Sequence, residues 1–92
     1  MTENSSSPKV SVIIPAYHEE TKITTGLHDL FETLDFLQLD HEVIVIVDGD
    51  PKTEAAVSKY KNPHLKILSY TKNRGKGYAL CHGVKAATGE VV

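Results

Sequence analysis

An unbroken run of β-branched residues, Val43-Ile44-Val45-Ile46-Val47, constrains the fold of this chain more than any other segment. The run has no polar face, so the strand that it predicts must be covered on both sides. Such strands are typical of parallel sheets, whose crossover helices pack on both faces. A second run, from Val10 to Ile14, is nearly as apolar and ends at Pro15, which lacks the N–H that a sheet ladder needs. The two runs therefore predict strands of a parallel α/β sheet.

Segments with helical spacing alternate with the predicted strands. We predict helices from residue 19 or 20 to 37, from 53 to 60 and from 76 or 77 to 88, and a third, more exposed strand over residues 64–70. Apolar residues form one stripe along the first helix: Ile23, Leu27, Leu30, Phe31, Leu34 and Leu37. In the last helix the pattern predicts four residues that face the core: Leu80, Cys81, Val84 and Ala87. Glu90-Val91-Val92 predicts the start of a fourth strand.

The order β-α-β-α-β-α-β predicts a Rossmann-like parallel sheet with right-handed crossovers and the strand order 3-2-1-4. We expect residues 10–92 to form one α/β domain and the polar residues 1–9 to form a flexible tail. The fourth strand begins where the sequence stops, so a unit truncated at that strand is expected. Strand one would then lie at a sheet edge, where it favours a homo-oligomer.

Composition excludes several classes of function. The net charge of −2 gives no general attraction to nucleic acid. No apolar run approaches the roughly 18 residues of a membrane span, and no secretory signal is visible. The single cysteine, Cys81, excludes an intrachain disulfide and suits a reducing compartment, so a cytoplasmic protein is expected.

Polar segments follow each of the first three predicted strands, at residues 15–19, 48–51 and 71–77. Ligands of open parallel sheets bind beyond the carboxyl ends of the strands, so these segments together predict a nucleotide pocket. Asp48, directly after the buried strand, is placed to accept hydrogen bonds from a ribose or a base. A structural role as a turn former or helix cap is equally open for it. The spacing of Asp48 and Asp50 also allows Mg²⁺ or Mn²⁺, although a three-residue pattern is weak evidence.

The third segment places three cations ahead of a helix N-terminus: Lys72, Arg74 and Lys76. N–H groups and the dipole at such a terminus attract phosphate, and Gly75 lets the backbone approach it closely. This favours anion contact over the alternative, a solvated basic turn. In the first segment, Glu19 and Glu20 fit the first turn of a helix, where the dipole favours negative charge. For Glu19, contact with a ligand is as well supported as this role at the helix dipole.

Several known patterns are absent from the sequence. The turn after the first strand, Pro15-Ala16-Tyr17, has no glycine, which excludes the dinucleotide-binding fingerprint. No Walker A sequence is present. The five histidines show no metal-ligand spacing, and nothing marks a serine as a nucleophile.

Together these segments resemble the family 2 glycosyltransferases, which have a GT-A fold. The resemblance covers Val10 to Val92. The family's opening strand and its Pro-x-Tyr-Asn-Glu turn resemble Val12-Ile13-Ile14-Pro15-Ala16-Tyr17-His18-Glu19-Glu20. Its second strand and Asp-Asp-Gly-Ser turn resemble Glu42-Val43-Ile44-Val45-Ile46-Val47-Asp48-Gly49-Asp50. A third segment, Asn73-Arg74-Gly75-Lys76-Gly77-Tyr78-Ala79, resembles the Asn-x-Gly segment of polyprenyl-phosphate sugar synthases. A fourth, Ala87-Thr88-Gly89-Glu90-Val91-Val92, resembles the run into the strand that ends in the family's metal-binding Asp-x-Asp.

The resemblance implies a role for each polar segment. The nucleoside pocket would be lined by four residues after strand one: Pro15, Ala16, Tyr17 and Glu19. Asp48 would contact the base or ribose, and the third segment would face the base or diphosphate through Lys72, Arg74, Gly75 and Lys76. The family transfers a sugar from a nucleotide donor with inversion and uses a divalent metal, so the resemblance implies a UDP- or GDP-sugar donor and Mg²⁺ or Mn²⁺. Its metal ligands and catalytic base would lie beyond Val92.

Three positions depart from the family pattern. His18 stands where Asn is usual, Val47 replaces the first turn acid, and Asp50 replaces the Ser. We therefore expect a nucleotide-binding N-terminal part of an enzyme, inactive by itself, with the preferred base left open. Two other classes stay open. One is a stand-alone nucleotide-binding or regulatory module, and the other is a receiver-like interaction domain that binds Mg²⁺ at Asp48 and Asp50 without a nucleotide.

Overall fold

The computed structural model describes residues 9–92, so the tail prediction for residues 1–9 lies outside it except at Lys9. The Lys9 N–H donates a hydrogen bond to the Asp40 carbonyl, and the Lys9 carbonyl accepts one from the Glu90 N–H, so the backbone of Lys9 is held in place. Seven elements follow in the predicted order: β1 (Val10–Ala16), α1 (Ile23–Phe36), β2 (His41–Asp48), α2 (Pro51–Ser58), β3 (Leu65–Tyr70), α3 (Lys76–Ala86) and β4 (Glu90–Val91).

The four described strands form one parallel sheet in the order β3-β2-β1-β4, as predicted. The central strand β2 is buried along its whole length, in agreement with its apolar sequence. Its register with β1 runs from Val10↔His41 to Ala16↔Val47, so the two strands end side by side. This brings the loops that follow them to one edge of the sheet. Association of a second copy through the β1 edge stays a prediction.

Helices cover both faces of the sheet. On one face α1 and α2 pack against alternate residues of β2, and the predicted stripe of α1 is buried at Ile23, Leu27, Phe31 and Leu34. Leu37, expected inward, is 55% exposed because α1 ends at Phe36. On the other face α3 packs against the remaining β2 side chains. Among the described residues, none of the helices combines the length and apolar character needed to cross a membrane.

The first helix begins later than its sequence pattern indicated. The backbone N–H groups of Lys22 and Ile23 both donate to the carbonyl of Glu19, which forms a turn ahead of α1. Glu19 and Glu20 therefore precede the helix, and its first turn holds no acidic residue. Their predicted role at the helix dipole is wrong. The second helix begins earlier than predicted, at Pro51, since proline fits a first helical position.

The third helix presents a different face to the sheet from the one predicted. Its buried residues are Ala79 and Gly83, while Cys81 is exposed and Val84 is 47% exposed. The reason is close packing: a Cβ on Gly83 would lie 2.5 Å from Ile46 Cδ1. Small residues therefore occupy the contact, and the larger side chains turn away from it. The prediction of Cys81 as a core residue is wrong.

We expect Gly83→Ala to lower the free energy of unfolding by about 1–2 kcal/mol, because the added methyl group meets packed isoleucine side chains of the sheet. Urea denaturation monitored by circular dichroism measures the change. Gly77→Ala is the matched control in the same helix, since a Cβ at Gly77 meets no atom within 4 Å. Equal stability of the Gly83 and Gly77 variants would contradict this account of the packing.

Candidate functional site

A cavity of about 690 Å³ opens at the carboxyl end of the sheet, between the loops after β1, β2 and β3 and the start of α3. This volume is within the range of small-molecule sites. It is lined by Ile13, Pro15, Ala16, Tyr17, Glu19, Asp48, Asn73, Gly75, Lys76, Ala79 and Leu80. All the site residues predicted from the sequence are therefore brought together here, except Lys72 and Arg74.

The Asp48 carboxylate holds the loop after β3 in place. It accepts hydrogen bonds from the backbone N–H groups of Arg74 at 2.8 Å and Gly75 at 2.9 Å, and from Asn73 Nδ2 at 2.9 Å. Burial by itself raises the pKa of Asp48, but the Arg74 N–H, the nearby Tyr70 hydroxyl and the Gly75 N–H outweigh it and hold the pKa below its ordinary value. Asp48 is thus an anion inside the site, and it orders the loop that the sequence assigned to phosphate contact.

A tyrosine at the end of β3 adds to this arrangement. Burial and the nearby Asp48 carboxylate raise the pKa of Tyr70 to about 12, so its hydroxyl stays protonated. The hydroxyl oxygen is buried, and no partner among the described residues lies within hydrogen-bond geometry of it. It therefore keeps a proton available close to Asp48. Sequence reasoning assigned Tyr70 only to the strand.

The Asp50 carboxylate holds the loop after β1. Its Oδ2 atom accepts a hydrogen bond from the His18 N–H at 2.7 Å and from the Thr53 hydroxyl at 2.6 Å. Its Oδ1 atom accepts from the Lys52 N–H and so caps α2. The Thr53 and His18 hydrogen bonds lower the pKa of Asp50. The helix cap proposed for Asp48 therefore belongs to Asp50.

Two of the three predicted cations lie outside the cavity lining. The Arg74 guanidinium is 5.1 Å from the centroid of the Tyr78 ring, a cation–π contact on the exposed face of α3. Lys72 is exposed and does not line the cavity either. Lys76, in the first turn of α3, is the predicted cation that lines the cavity. The segment therefore divides between the cavity and the outer surface.

Four residues that line the cavity were not among the predicted site residues: Asn73, Ile13, Ala79 and Leu80. Asn73 Nδ2 donates to both the backbone carbonyl and the carboxylate of Asp48. Its sequence signal was present, because Asn73 opens the Asn-x-Gly segment, but that signal does not show which group it contacts. Ile13, Ala79 and Leu80 line the cavity from β1 and α3. Their patterns indicate core residues, so only the packing of α3 shows that they also face a cavity.

Metal binding through Asp48 and Asp50 stays a prediction, and in the structure both carboxylates act as hydrogen-bond acceptors for the surrounding loops. Both carboxylates already accept hydrogen bonds from N–H groups or a hydroxyl at both oxygens. Within residues 9–92, one group of three possible ligands lies within 4.8 Å of one another: His18, Glu20 and Asp50. The group includes Asp50, whose carboxylate already accepts three hydrogen bonds, and it includes His18, one of the histidines without metal-ligand spacing in the sequence.

Comparison with known proteins identifies the family. A family model described as glycosyl transferase family 2 matches residues 11–92. Over 90 residues the chain is 38% identical to the dolichol-phosphate mannosyltransferase of Pyrococcus furiosus, a match that covers 90% of this chain and 24% of that protein. Over 100 residues it is 35% identical to the dolichyl-phosphate beta-glucosyltransferase of Drosophila melanogaster, covering 95% of this chain and 30% of that protein.

The fold agrees with a solved structure, the mannosyltransferase PcManGT from Pyrobaculum calidifontis in complex with GDP-Man and Mn²⁺. The TM-score is 0.76 at 31% identity, over 95% of this chain and 27% of that one. The human dolichyl-phosphate beta-glucosyltransferase is 28% identical over 97% of this chain and 31% of its own length. The chain thus spans about a quarter to a third of these relatives. Because the family model matches all but the first ten residues, the chain belongs to glycosyl transferase family 2.

Proposed function

We propose that this chain forms the nucleotide-sugar-binding part of an inverting glycosyltransferase that uses a polyprenyl phosphate as acceptor. The observation that carries the proposal is the cavity at the carboxyl ends of β1 and β2, where the loops of the three family motifs meet. The donor of PcManGT, GDP-Man, and the dolichyl-phosphate names of the curated relatives support the donor and acceptor classes. A cytoplasmic location stays a prediction.

The cavity walls suggest how a nucleoside diphosphate would lie. Tyr17 and Pro15 offer an aromatic and an apolar surface to a base, and Glu19 offers a carboxylate for its N–H groups. The first turn of α3 has no side-chain cap, so its N–H groups are available to an anion. Lys76 in that turn lines the same cavity and adds positive charge. The diphosphate would therefore lie at the start of α3.

A divalent metal in the transfer would offset the charge of the leaving diphosphate. PcManGT was solved with Mn²⁺, which supports a metal in this class of enzyme. Since Asp48 and Asp50 are occupied by hydrogen-bond donors, we propose that the ligands belong to other parts of the enzyme. The same occupancy counts against a receiver-like domain, which needs free carboxylates for Mg²⁺ at these two residues.

Titration of the chain with UDP and GDP, each with and without Mn²⁺ and followed by NMR, tests the proposal. We expect saturable shifts of cavity residues with at least one nucleotide. Asp48→Ala is expected to weaken binding at least tenfold, because the loop over residues 73–75 loses its anchor. Asp35→Ala, an exposed aspartate on α1 outside the cavity, is the control and should bind like the wild type. A folded wild-type chain that responds to neither nucleotide would refute the proposal.

A further inference from the structure

We infer that Asp50 is a positioning residue for the nucleotide site, and that it acts by fixing the backbone of the loop after β1 at His18. The inference rests on the proposed function and adds a residue to it. Asp50 does not line the cavity, whereas Tyr17 and Glu19, on either side of His18, both do. A residue that fixes His18 therefore sets the placement of two cavity residues.

The backbone of His18 needs such support. Its φ angle is 57°, in the left-handed region that residues other than glycine seldom adopt. Asparagine, the usual residue at this position in the family, and histidine are among those that tolerate it best. The N–H of His18 points at Asp50 Oδ2, 2.7 Å away. The charged acceptor therefore stabilises an uncommon backbone conformation at the point where the loop turns.

Thr53 extends the support of the β1 loop from His18 to the next residue, Glu19. Its hydroxyl donates to Asp50 Oδ2 and accepts a hydrogen bond from the Glu19 N–H at 3.0 Å. Thr53 is fully buried and Asp50 is 9% exposed, so the bond between these two side chains is shielded from water. Two successive N–H groups of the β1 loop are thus held by the start of α2. A loop fixed before the ligand arrives loses less conformational entropy on binding.

The positioning role of Asp50 depends on both oxygens of its carboxylate. One oxygen of Asp50 caps α2 through Lys52, and the other holds the β1 loop through His18 and Thr53. Serine, the usual residue here in the family, is also a preferred helix cap but has a single, shorter-reaching oxygen. Asp50→Ser therefore separates the two functions, because it keeps the cap of α2 and loses the contact with His18.

The experiment measures two properties of the Asp50→Ser variant. Hydrogen exchange by NMR, without ligand, is expected to be at least tenfold faster at the His18 amide than in the wild type. Titration with GDP and with UDP, in the presence of Mn²⁺, is expected to give about tenfold weaker binding. The melting temperature should change little, because α2 keeps a cap. Unchanged exchange at His18, or wild-type affinity in the variant, would overturn the inference.

Thr53 supplies a matched pair of variants that leaves in place the bond from the Lys52 N–H to Asp50 Oδ1, which caps α2. Thr53→Val removes the hydroxyl at nearly constant volume and should weaken nucleotide binding. Thr53→Ser keeps the hydroxyl and should bind like the wild type. Equal affinity of the two variants would overturn the inference even if Asp50→Ser unfolds. If the wild-type chain binds no nucleotide but Asp50→Ser shows the expected faster exchange at His18, the proposed function is refuted and the contact between Asp50 and the loop is retained.

Discussion

Gly49→Ala is expected to lower the free energy of unfolding by about 3 kcal/mol, because it adds backbone strain to a steric clash. Gly49 has a φ of +64°, in the left-handed region. A Cβ there would lie 2.7 Å from the carbonyl carbon of Lys72 and 2.8 Å from Asn73 Cα. Both atoms belong to backbone and cannot rotate away as a side chain can. Stabilities of native proteins are about 5–15 kcal/mol, so this loss is a large share of the total.

The same substitution should open the candidate site. To make room for a methyl group, the loop after β3 must move away from β2, and the hydrogen bonds from Arg74 and Gly75 to Asp48 would break. Urea denaturation measures the stability, and hydrogen exchange at Arg74 and Gly75 reports on the loop. Gly26→Ala is the control: it lies inside α1 with no atom near its Cβ, so it should stabilise the chain by about 0.5–1 kcal/mol. A Gly49 variant as stable as the wild type would contradict the close approach.

Glu42→Gln is expected to cost about 2–3 kcal/mol, because Glu42 is a charged hydrogen-bond acceptor buried in the sheet. Glu42 is 5% exposed, and its Oε2 atom accepts from the Ser11 hydroxyl at 2.6 Å and from the Thr88 N–H at 2.8 Å. Oε1 pairs with Lys66 Nζ at 2.8 Å. The glutamine amide would offer one acceptor oxygen in place of two. Its NH₂ group would face groups that are themselves donors: Ser11, Lys66 and Thr88. Glu32→Gln, exposed on α1, is the control and should change stability by less than about 0.5 kcal/mol.

The contribution of Glu42 should depend on pH. Burial raises its pKa, but the bonds from Lys66, Ser11 and Thr88 outweigh burial and lower it from 4.5 to about 2. The unfolded chain therefore binds the proton more readily than the folded chain between these two values. The stabilisation is complete above about pH 4.5 and is lost as the pH falls toward 2. The difference in unfolding free energy between wild type and Glu42→Gln should shrink over this window, and a constant difference would contradict the account.

Glu42 also shows what a sequence pattern does not reveal. In the sequence, Glu42 directly precedes the apolar run that begins at Val43, and no pattern there indicates a role for its carboxylate. In the fold it joins β2 to β1 through Ser11 and to the segment between α3 and β4 through Thr88, which is 46 residues away in sequence. Gly89 bonds to the same serine hydroxyl. No local signal marks such a set, because its members approach one another only when three crossovers have formed.

The order of elements and of strands followed from the sequence by itself, as did the residues of the β1 turn that line the cavity. Period-two and period-3.6 hydrophobic patterns and turn residues are local properties, and the handedness of crossovers then orders the strands. The choice for Asp48 between ligand contact and a turn or cap role did not follow in this way, and neither did the cap at Asp50. Both depended on which N–H groups came within about 3 Å of each carboxylate.

The tertiary structure also decided which face of α3 meets the sheet, and with it the positions of Cys81 and Arg74. Side chains of several sizes share the helical spacing in α3, so the pattern allows more than one buried face. Packing selects the face with Ala79 and Gly83, because only small residues let the helix come so close to Ile46. Sequence thus determined which elements form and where they meet, since those signals are local. The partners of each charged group were decided only by tertiary structure, because hydrogen bonds form between atoms that folding brings together.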